Sequence, residues 1–488
     1  MSKSLGDHST QSHDSSRRSF LRQSAVVAGT AVGGAIASRA CAEDATEERD
    51  SKSFAAGAAI TNLTPDRELP HYYGKMMKPA KGDSDLLCHA VVFSDGRTQA
   101  AIVSCDATFV HRPLVLKIRE EVQRQSGIPG PAVLIAATHT HASPATGPSF
   151  LAGALPDPEY LDFFTERVVR AVLEAKAALR PATLAAGKCP TPGFEFNRRF
   201  LRPDGTVTLA PGKGSKLEPA GPADTTMQYL AFEDRAGSPV AIVINYPCHN
   251  NCCGGYYHRD LGGRAGDALR RQLAGRFATP FLAAPCGDVV WLDFRSPPPT
   301  RGDELACQIG EGIARQIVSS LERSQRREDI SLQVRTEVVE IPDRALTDST
   351  FCHDLCRGES EAAIAFARRR YDPEREAIAA GGPTVCPVEF QVISFGSCAI
   401  VTNPAELFVE FGIEIKRRSP FDVTLVSELT NGYCGYVPTM AAFQQGGYET
   451  HRTVRTSRLV KDGGRRIVEK SLDLLSGIHR QEKESQDR

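Results

Sequence analysis

The strongest constraint on this chain is a run of short apolar segments. Each leads straight into a polar one, and stretches of helical periodicity separate them. Leu86–Phe93 and Gln99–Cys105 flank Ser94-Asp95-Gly96-Arg97, a hairpin with an Asp-Gly turn. Pro113–Gln125 reads as an amphipathic helix ended by Gly127 and Pro129. Ala132–Ala137 reads as a buried strand, and Tyr160–Leu179 has helical spacing. Met227–Phe232 and Val240–Tyr246 predict a second hairpin around Asp234–Ser238. Helix Gly262–Leu273, strand Pro280–Ala284 and helix Glu304–Leu321 follow. Val388–Ile393 and Ala399–Thr402 pair around Phe395-Gly396-Ser397. Helix Glu406–Arg417, strand Val423–Val426 and helix Arg465–Leu475 complete the series. Such alternation predicts a mixed, layered α/β fold, with β-sheets flanked by helices. No fixed-period repeat is present. Pro203–Pro222 and Arg295–Arg301, rich in Gly, Pro and charge, read as surface loops, so 54–479 is expected to be a single large domain. Residues 43–53 read as a disordered polar leader and 480–488 as a frayed tail.

Composition excludes several classes. At 488 residues, with 41% hydrophobic and 24% charged, the chain is neither disordered, collagen-like nor coiled-coil. A net charge of −1 gives no polybasic footprint for nucleic acid or for anionic membrane. The charge is uneven, since Lys3, Arg17, Arg18, Arg22 and Arg39 face only Asp7 and Asp14 within residues 1–42. Ser16-Arg17-Arg18-Ser19-Phe20-Leu21-Arg22 is a twin-arginine pattern. The apolar run Ala25 to Ala37 follows, too short to span a membrane stably, and Ala40-Cys41-Ala42 offers a cleavage site. Residues 1–42 are therefore expected to be a twin-arginine signal peptide. The twin-arginine translocase would be the partner during export, and the mature protein would be periplasmic or secreted. Cys41 hints at a lipid anchor, but Arg39 interrupts the small-residue box that such an anchor uses. No later segment has 18 uninterrupted apolar residues, so no transmembrane segment is expected in the mature chain. The 14 cysteines are scattered, with Cys252-Cys253 and Cys352/Cys356 as the tight groups. They read as small buried apolar residues and not as a disulfide framework.

Chemistry gathers behind the strands. Ala132–Ala137 runs into Thr138-His139-Thr140-His141, where histidines two apart in an extended stretch point the same way. Neutral imidazole is the commonest metal ligand, although one core histidine and one loop histidine would give the same spacing. Val240–Tyr246 runs into Pro247-Cys248-His249-Asn250-Asn251. Glu406 follows Ala399–Thr402 through Asn403-Pro404-Ala405 at an expected helix start, where a carboxylate also answers the helix dipole. After Val423–Val426, Asn431-Gly432-Tyr433-Cys434-Gly435-Tyr436-Val437-Pro438 carries two tyrosines in a Gly-rich loop. In open α/β sheets, sites form at the carboxyl ends of strands. Two histidines, a carboxylate and a phenol would complete a zinc site with room for water. Arg198, in Asn197-Arg198, would stabilise an oxyanion or pair with a carboxylate. Gly287, in Cys286-Gly287-Asp288-Val289, would allow close backbone approach. Asp106 and Asp260 would orient a histidine ligand or cap a loop.

Taken in order, these blocks resemble the neutral/alkaline, non-lysosomal ceramidase family, in its N-terminal catalytic domain. The resemblance runs from about Phe54 to about Gly477. It rests on Thr138-His139-Thr140-His141, Asn197-Arg198, Gly287-Asp288-Val289, Asn403-Pro404-Ala405-Glu406 and the Asn431–Val437 block. Asn62-Leu63-Thr64-Pro65 and the Gln444–Glu449 stretch with Tyr448 add to it. The resemblance implies an exported zinc-dependent amidohydrolase that cleaves an N-acyl amide, ceramide-like lipid substrate by metal-activated water. It implies Zn2+ as cofactor, with His139, His249, Glu406 and Tyr436 as ligands. Tyr436 is preferred to Tyr433 because it stands directly before Val437. It also implies that His141 and Arg198 help hold and polarise the scissile carbonyl, and that Tyr448, a second site tyrosine, would help stabilise the oxyanion with them.

Two departures bear on substrate. The family reads Gly-Asp-Val-Ser-Pro-Asn where this chain has Gly287-Asp288-Val289-Val290-Trp291-Leu292, and Val290 cannot donate a hydrogen bond. The family's C-terminal immunoglobulin-like domain is expected to be absent. Cys248, Cys252 and Cys253 stand beside His249, where thiolates would compete as zinc ligands. Two other readings stay open: a zinc hydrolase of another ester or amide, and a catalytically impaired binding protein on the same fold.

Overall fold

The structure is a computed structural model that describes residues 53–486 except 73, 149–154, 210, 346–360, 362–364, 366–371, 374, 383 and 453–455. They lie in a unit spanning Ser51–Arg488. The signal segment 1–42, nearly all of the leader, and Cys352 and Cys356 lie outside the described residues.

The principal elements are β1 (Ala55–Asn62), β2 (Leu87–Ser94), β3 (Gln99–Cys105), α1 (Arg112–Ser126), β4 (Val133–Ala137), α2 (Pro158–Ala177), β5 (Arg180–Pro190), β6 (Thr226–Asp234), β7 (Pro239–Tyr246), α3 (Asp260–Gln272), β8 (Phe281–Ala283), α4 (Gly302–Leu321), β9 (Leu332–Pro342), β10 (Val385–Phe395), β11 (Cys398–Thr402), α5 (Val409–Arg418), β12 (Val423–Ser427) and α6 (Gly463–Gln486). Local chemistry accounts for many of their ends. Asp95 accepts the Arg97 and Thr98 amides in the β2–β3 turn, and Gly96 takes a φ of 81° there. Asp234 does the same for Ala236 and Ser238 between β6 and β7. Asp157 caps α2 by accepting the Tyr160 amide at 2.9 Å, with Pro158 at the first helical position. Gly127 closes α1 in the left-handed conformation.

An eight-stranded sheet has the order β8-β7-β6-β5-β1-β2-β3-β4, and a four-stranded sheet the order β9-β10-β11-β12. Most neighbours are antiparallel, but β3 with β4, β7 with β8 and β11 with β12 are parallel. Strand alternation sorts the side chains into layers. On β6, Leu230 and Phe232 join a core shared with Ile393, Phe395 and Ile400 of the smaller sheet. Its Met227, Tyr229 and Ala231 instead face Leu261, Leu269, Ile309 and Ile313 of α3 and α4. On β11, Ile400 faces the large sheet, while Ala399 and Val401 face Ile467, Val468 and Leu475 of α6. The two sheets therefore pack face to face between helices. Phe93, Phe232 and Phe395 meet at that junction, with ring centroids 4.6–5.3 Å apart.

The structure corrects the sequence reading in places. β1, β5 and β9 are strands that the sequence reading leaves out. β1 and β5 are rich in Ala, Gly and Pro, so they lack the β-branched signal. The last helix runs on to Gln486, where a frayed tail was expected from residue 480. Glu482 is buried and accepts Ser394 at 2.7 Å, which ties the helix end to β10. Among the described residues, no helix is long and apolar enough to cross a membrane.

Candidate metal centre

The polar segments behind β3, β4, β7, β8, β11 and β12 come together. Thr138-His139 follows β4, and the His139 amide donates to Ala107 behind β3. His139 has a φ of 66°, so this stretch is not the extended strand that the sequence suggests. The two rings converge nonetheless, and His139 Nε2 lies 3.3 Å from His141 Nε2. His139 Nδ1 sits 3.1 Å from the Thr108 carbonyl. A carbonyl only accepts, so Nδ1 carries the proton and Nε2 presents its lone pair. His249 repeats the arrangement behind β7: its Nδ1 faces the Cys286 and Val289 carbonyls at 2.8 and 2.9 Å. Burial brings the His139 pKa down to about 4 and the His249 pKa to about 3, and pushes His141 well below its ordinary value. All three imidazoles are neutral near pH 7.

Glu406 is not on a helix. It lies in a two-residue strand with Leu407, paired in parallel with Tyr436–Val437, and α5 begins only at Val409. Its side chain is therefore free of the helix dipole and enters the cluster. Glu406 Oε2 stands 3.6 Å from His139 Nε2 and 3.5 Å from His249 Nε2. It is buried without a hydrogen-bond partner, a costly state for a carboxylate oxygen. Oε1 accepts the Tyr433 hydroxyl at 2.9 Å. Burial raises the Glu406 pKa, opposed by His139 and the Tyr436 phenol. Both tyrosines of the Gly-rich loop thus act on Glu406. The Tyr436 ring also meets Tyr448, with centroids 5.5 Å apart.

Arg198 closes one side. Its Nη1 points at His249 Nε2 from 3.3 Å, its Nη2 donates to the Gly287 carbonyl and its Nε to Glu449 Oε1, both at 2.9 Å. Its guanidinium carbon lies 5.5 Å from the centre of the Tyr436 ring. Glu449 also holds Arg199 at 2.6 Å. Burial works against its charge, but the two arginines outweigh burial and hold its pKa below the usual carboxylate range. Gly287 is a close approach, because a Cβ there would stand 2.6 Å from the Glu406 carbonyl oxygen. Asp288 accepts the Asn197 side chain and the first amide of α5. Asp106 accepts the Thr138 hydroxyl and touches no ligand ring. Asp260 accepts the amides of Cys252, Cys253 and Leu261, and so caps a loop.

The Cys248 and Cys253 thiols turn to other partners. Cys248 directs its thiol to the Phe194 carbonyl at 3.5 Å, inside an apolar core. Cys253 groups instead with His258 and Asp303. There His258 Nδ1 accepts the Asp260 amide, so Nε2 carries the proton and faces Asp303 at 3.0 Å. Arg264 also pairs with Asp303, so the imidazole lone pair and the carboxylate are both already engaged. Val290 and Trp291 belong to the apolar core, and Trp291 donates to Asn251 at 2.7 Å. Sequence reasoning missed Glu428, which follows β12 and accepts amides on both sides of it. An acidic residue directly after the short strand run Val423–Ser427 is the signal that marks it.

No family model matches the chain, and no curated protein matches it. Solved structures do. The neutral ceramidase from Pseudomonas aeruginosa superposes with a TM-score of 0.67 at 17% identity, over 88% of this chain and 75% of that one. A ceramidase complexed with C2 superposes with a TM-score of 0.65 at 16% identity, over 88% and 76%. The mixed α/β domain described here has the fold of the neutral ceramidases.

Proposed function

We propose that this protein is a zinc-dependent amidohydrolase acting on an N-acyl amide of ceramide type. One observation carries the reading. Glu406 Oε2, buried and unpartnered, faces the Nε2 atoms of two histidines whose Nδ1 protons are already given to backbone carbonyls. Two imidazole nitrogens and an unpartnered carboxylate oxygen gathered inside the protein are the donor set that a cation would satisfy. The donor chemistry suits zinc: neutral imidazoles, one carboxylate and a phenol from Tyr436. When bound, zinc supplies a Lewis acid that polarises a carbonyl and makes water more acidic.

The chain's own residues supply the rest. Arg198, fixed by Glu449 and the Gly287 carbonyl, holds its guanidinium beside the cluster, where it stabilises negative charge that develops on the substrate oxygen. His141 is partly exposed and neutral, and it offers a ring N–H beside the cluster that can hold the substrate carbonyl. Tyr448, packed on Tyr436, orients the carbonyl from the other side.

A second reading keeps the centre and changes the substrate to another ester or amide. Val290 favours it, because its side chain joins the apolar core and offers no hydrogen bond to a substrate hydroxyl. The Arg17-Arg18 segment supports export through the twin-arginine translocase. Replacing Arg17 and Arg18 together by Lys is expected to retain the uncleaved precursor inside the cell, as an immunoblot of cell fractions would read.

Metal content and hydrolysis of a fluorogenic N-acylsphingosine, for wild type and Glu406→Ala, test the proposal. One zinc per chain, with turnover lost in the variant, is expected. Zinc without turnover would move the reading to another substrate. No zinc in either protein would sink the hydrolase reading and leave a fold used for binding.

A further inference from the structure

We propose that Glu428, sealed in the interior directly after β12, is a positioning residue that locks the Glu406 and His249 segments into one geometry for the metal; the inference rests on the zinc reading above. Glu428 is fully buried, and among the described residues no cation pairs with it. Both of its oxygens meet donors instead. Oε2 accepts the Leu407 amide at 2.7 Å. Oε1 accepts the Cys286 amide at 3.2 Å and the Cys286 thiol at 3.0 Å. Each donor is one step from a candidate ligand. Leu407 follows Glu406 in the chain. The Cys286 peptide gives its N–H to Glu428, and its carbonyl takes the His249 Nδ1 proton at 2.8 Å. One carboxylate therefore spans the two arms of the centre, one through a neighbouring peptide and the other through a hydrogen bond to the ring.

The surrounding backbone enforces the arrangement. The Glu428 amide donates to Ala283, the Leu429 amide to Ala405 and the Gly287 amide to Leu407. Leu429 is held at a φ of 52°, an expensive conformation for a bulky side chain. Such strain persists only where the surroundings over-determine it. An apolar residue would fill the same space but would orphan the Leu407 and Cys286 amides.

The test separates a positioning role from mere filling. Zinc affinity is measured by chelator competition on the metal-stripped full chain, well below its melting temperature, for wild type, Glu428→Gln and Glu406→Gln. The visible spectrum of the Co2+-loaded chain is recorded alongside. Gln has the shape of Glu but accepts at one end only. Glu428→Gln is expected to weaken zinc about 10–100-fold and to shift the Co2+ bands. An unchanged affinity and spectrum, with only a lower melting temperature, would overturn the inference and leave the metal centre standing. If wild type binds no zinc, the zinc reading falls and takes this inference with it. Where Glu428→Gln fails to fold, Glu428→Asp decides. It keeps both acceptors but draws them back by one methylene, so zinc is expected to weaken in the same direction, and a folded Glu428→Asp with wild-type affinity would overturn the proposal.

Discussion

At the scale of single residues, the interior carries unusually demanding polar groups. Glu449 is buried between Arg198 and Arg199, and removing it strands two guanidiniums. Glu449→Ala is expected to cost about 3–5 kcal/mol of stability, read from the urea midpoint. His89 is a second case, away from the His139 and His249 cluster. Its Nδ1 accepts the Thr279 amide, and burial brings its pKa down to about 3. The unfolded chain titrates this histidine near 6.5, so between those values the unfolded state binds the extra proton. The stability it protects is complete above pH 6.5 and falls on acidification toward pH 3, at up to about 1.4 kcal/mol per unit. His89→Gln is expected to lose less stability than wild type between pH 7 and 4.5, measured by urea unfolding. His139, His249 and Glu406 were legible as candidates because each is polar and comes soon after an apolar strand. The carbonyls of Thr108, Cys286 and Val289 that set the histidine protons were not, because a backbone oxygen leaves no mark in a sequence.

At the scale of elements, close approach of backbones decides more than propensity does. A Cβ at Gly57 would run into the Ala175 carbonyl, so α2 lies directly on β1. Gly57→Ala is expected to destabilise by about 1–3 kcal/mol in thermal unfolding, with little change in zinc content. Gly287→Ala meets the Glu406 carbonyl instead and is expected to weaken zinc as well as stability, since it pushes the Glu406 segment away from His249. The hairpins around Asp95 and Asp234 and most helices follow their sequence signals. The helix expected from Glu406 does not begin there. Glu406 and Leu407 pair with Tyr436 and Val437, and a ladder of two residues is too short for a period-two pattern to reveal.

At the scale of the whole molecule, two sheets packed between helices bring strand ends from across the chain to one point. Zinc that binds the folded chain alone adds stability by mass action, about 4.1 kcal/mol at a free concentration a thousand times Kd. A chelator is therefore expected to lower the melting temperature of wild type and to leave that of Glu406→Gln nearly unchanged, by calorimetry. By itself, the sequence determined the layered α/β class and the polar side chains that stand behind the strands, because hydrophobic periodicity and the chemistry of a strand end are local properties. Only the tertiary structure decided that His139, His249 and Glu406, each more than a hundred residues from the next, share one centre. It alone placed Tyr433 as well as Tyr436 against Glu406, turned the Cys248 and Cys253 thiols to other partners, and set Glu428 between the Leu407 and Cys286 amides. The physical reason is that strand order and sheet packing are settled by which apolar faces bury one another, and no local pattern carries that choice.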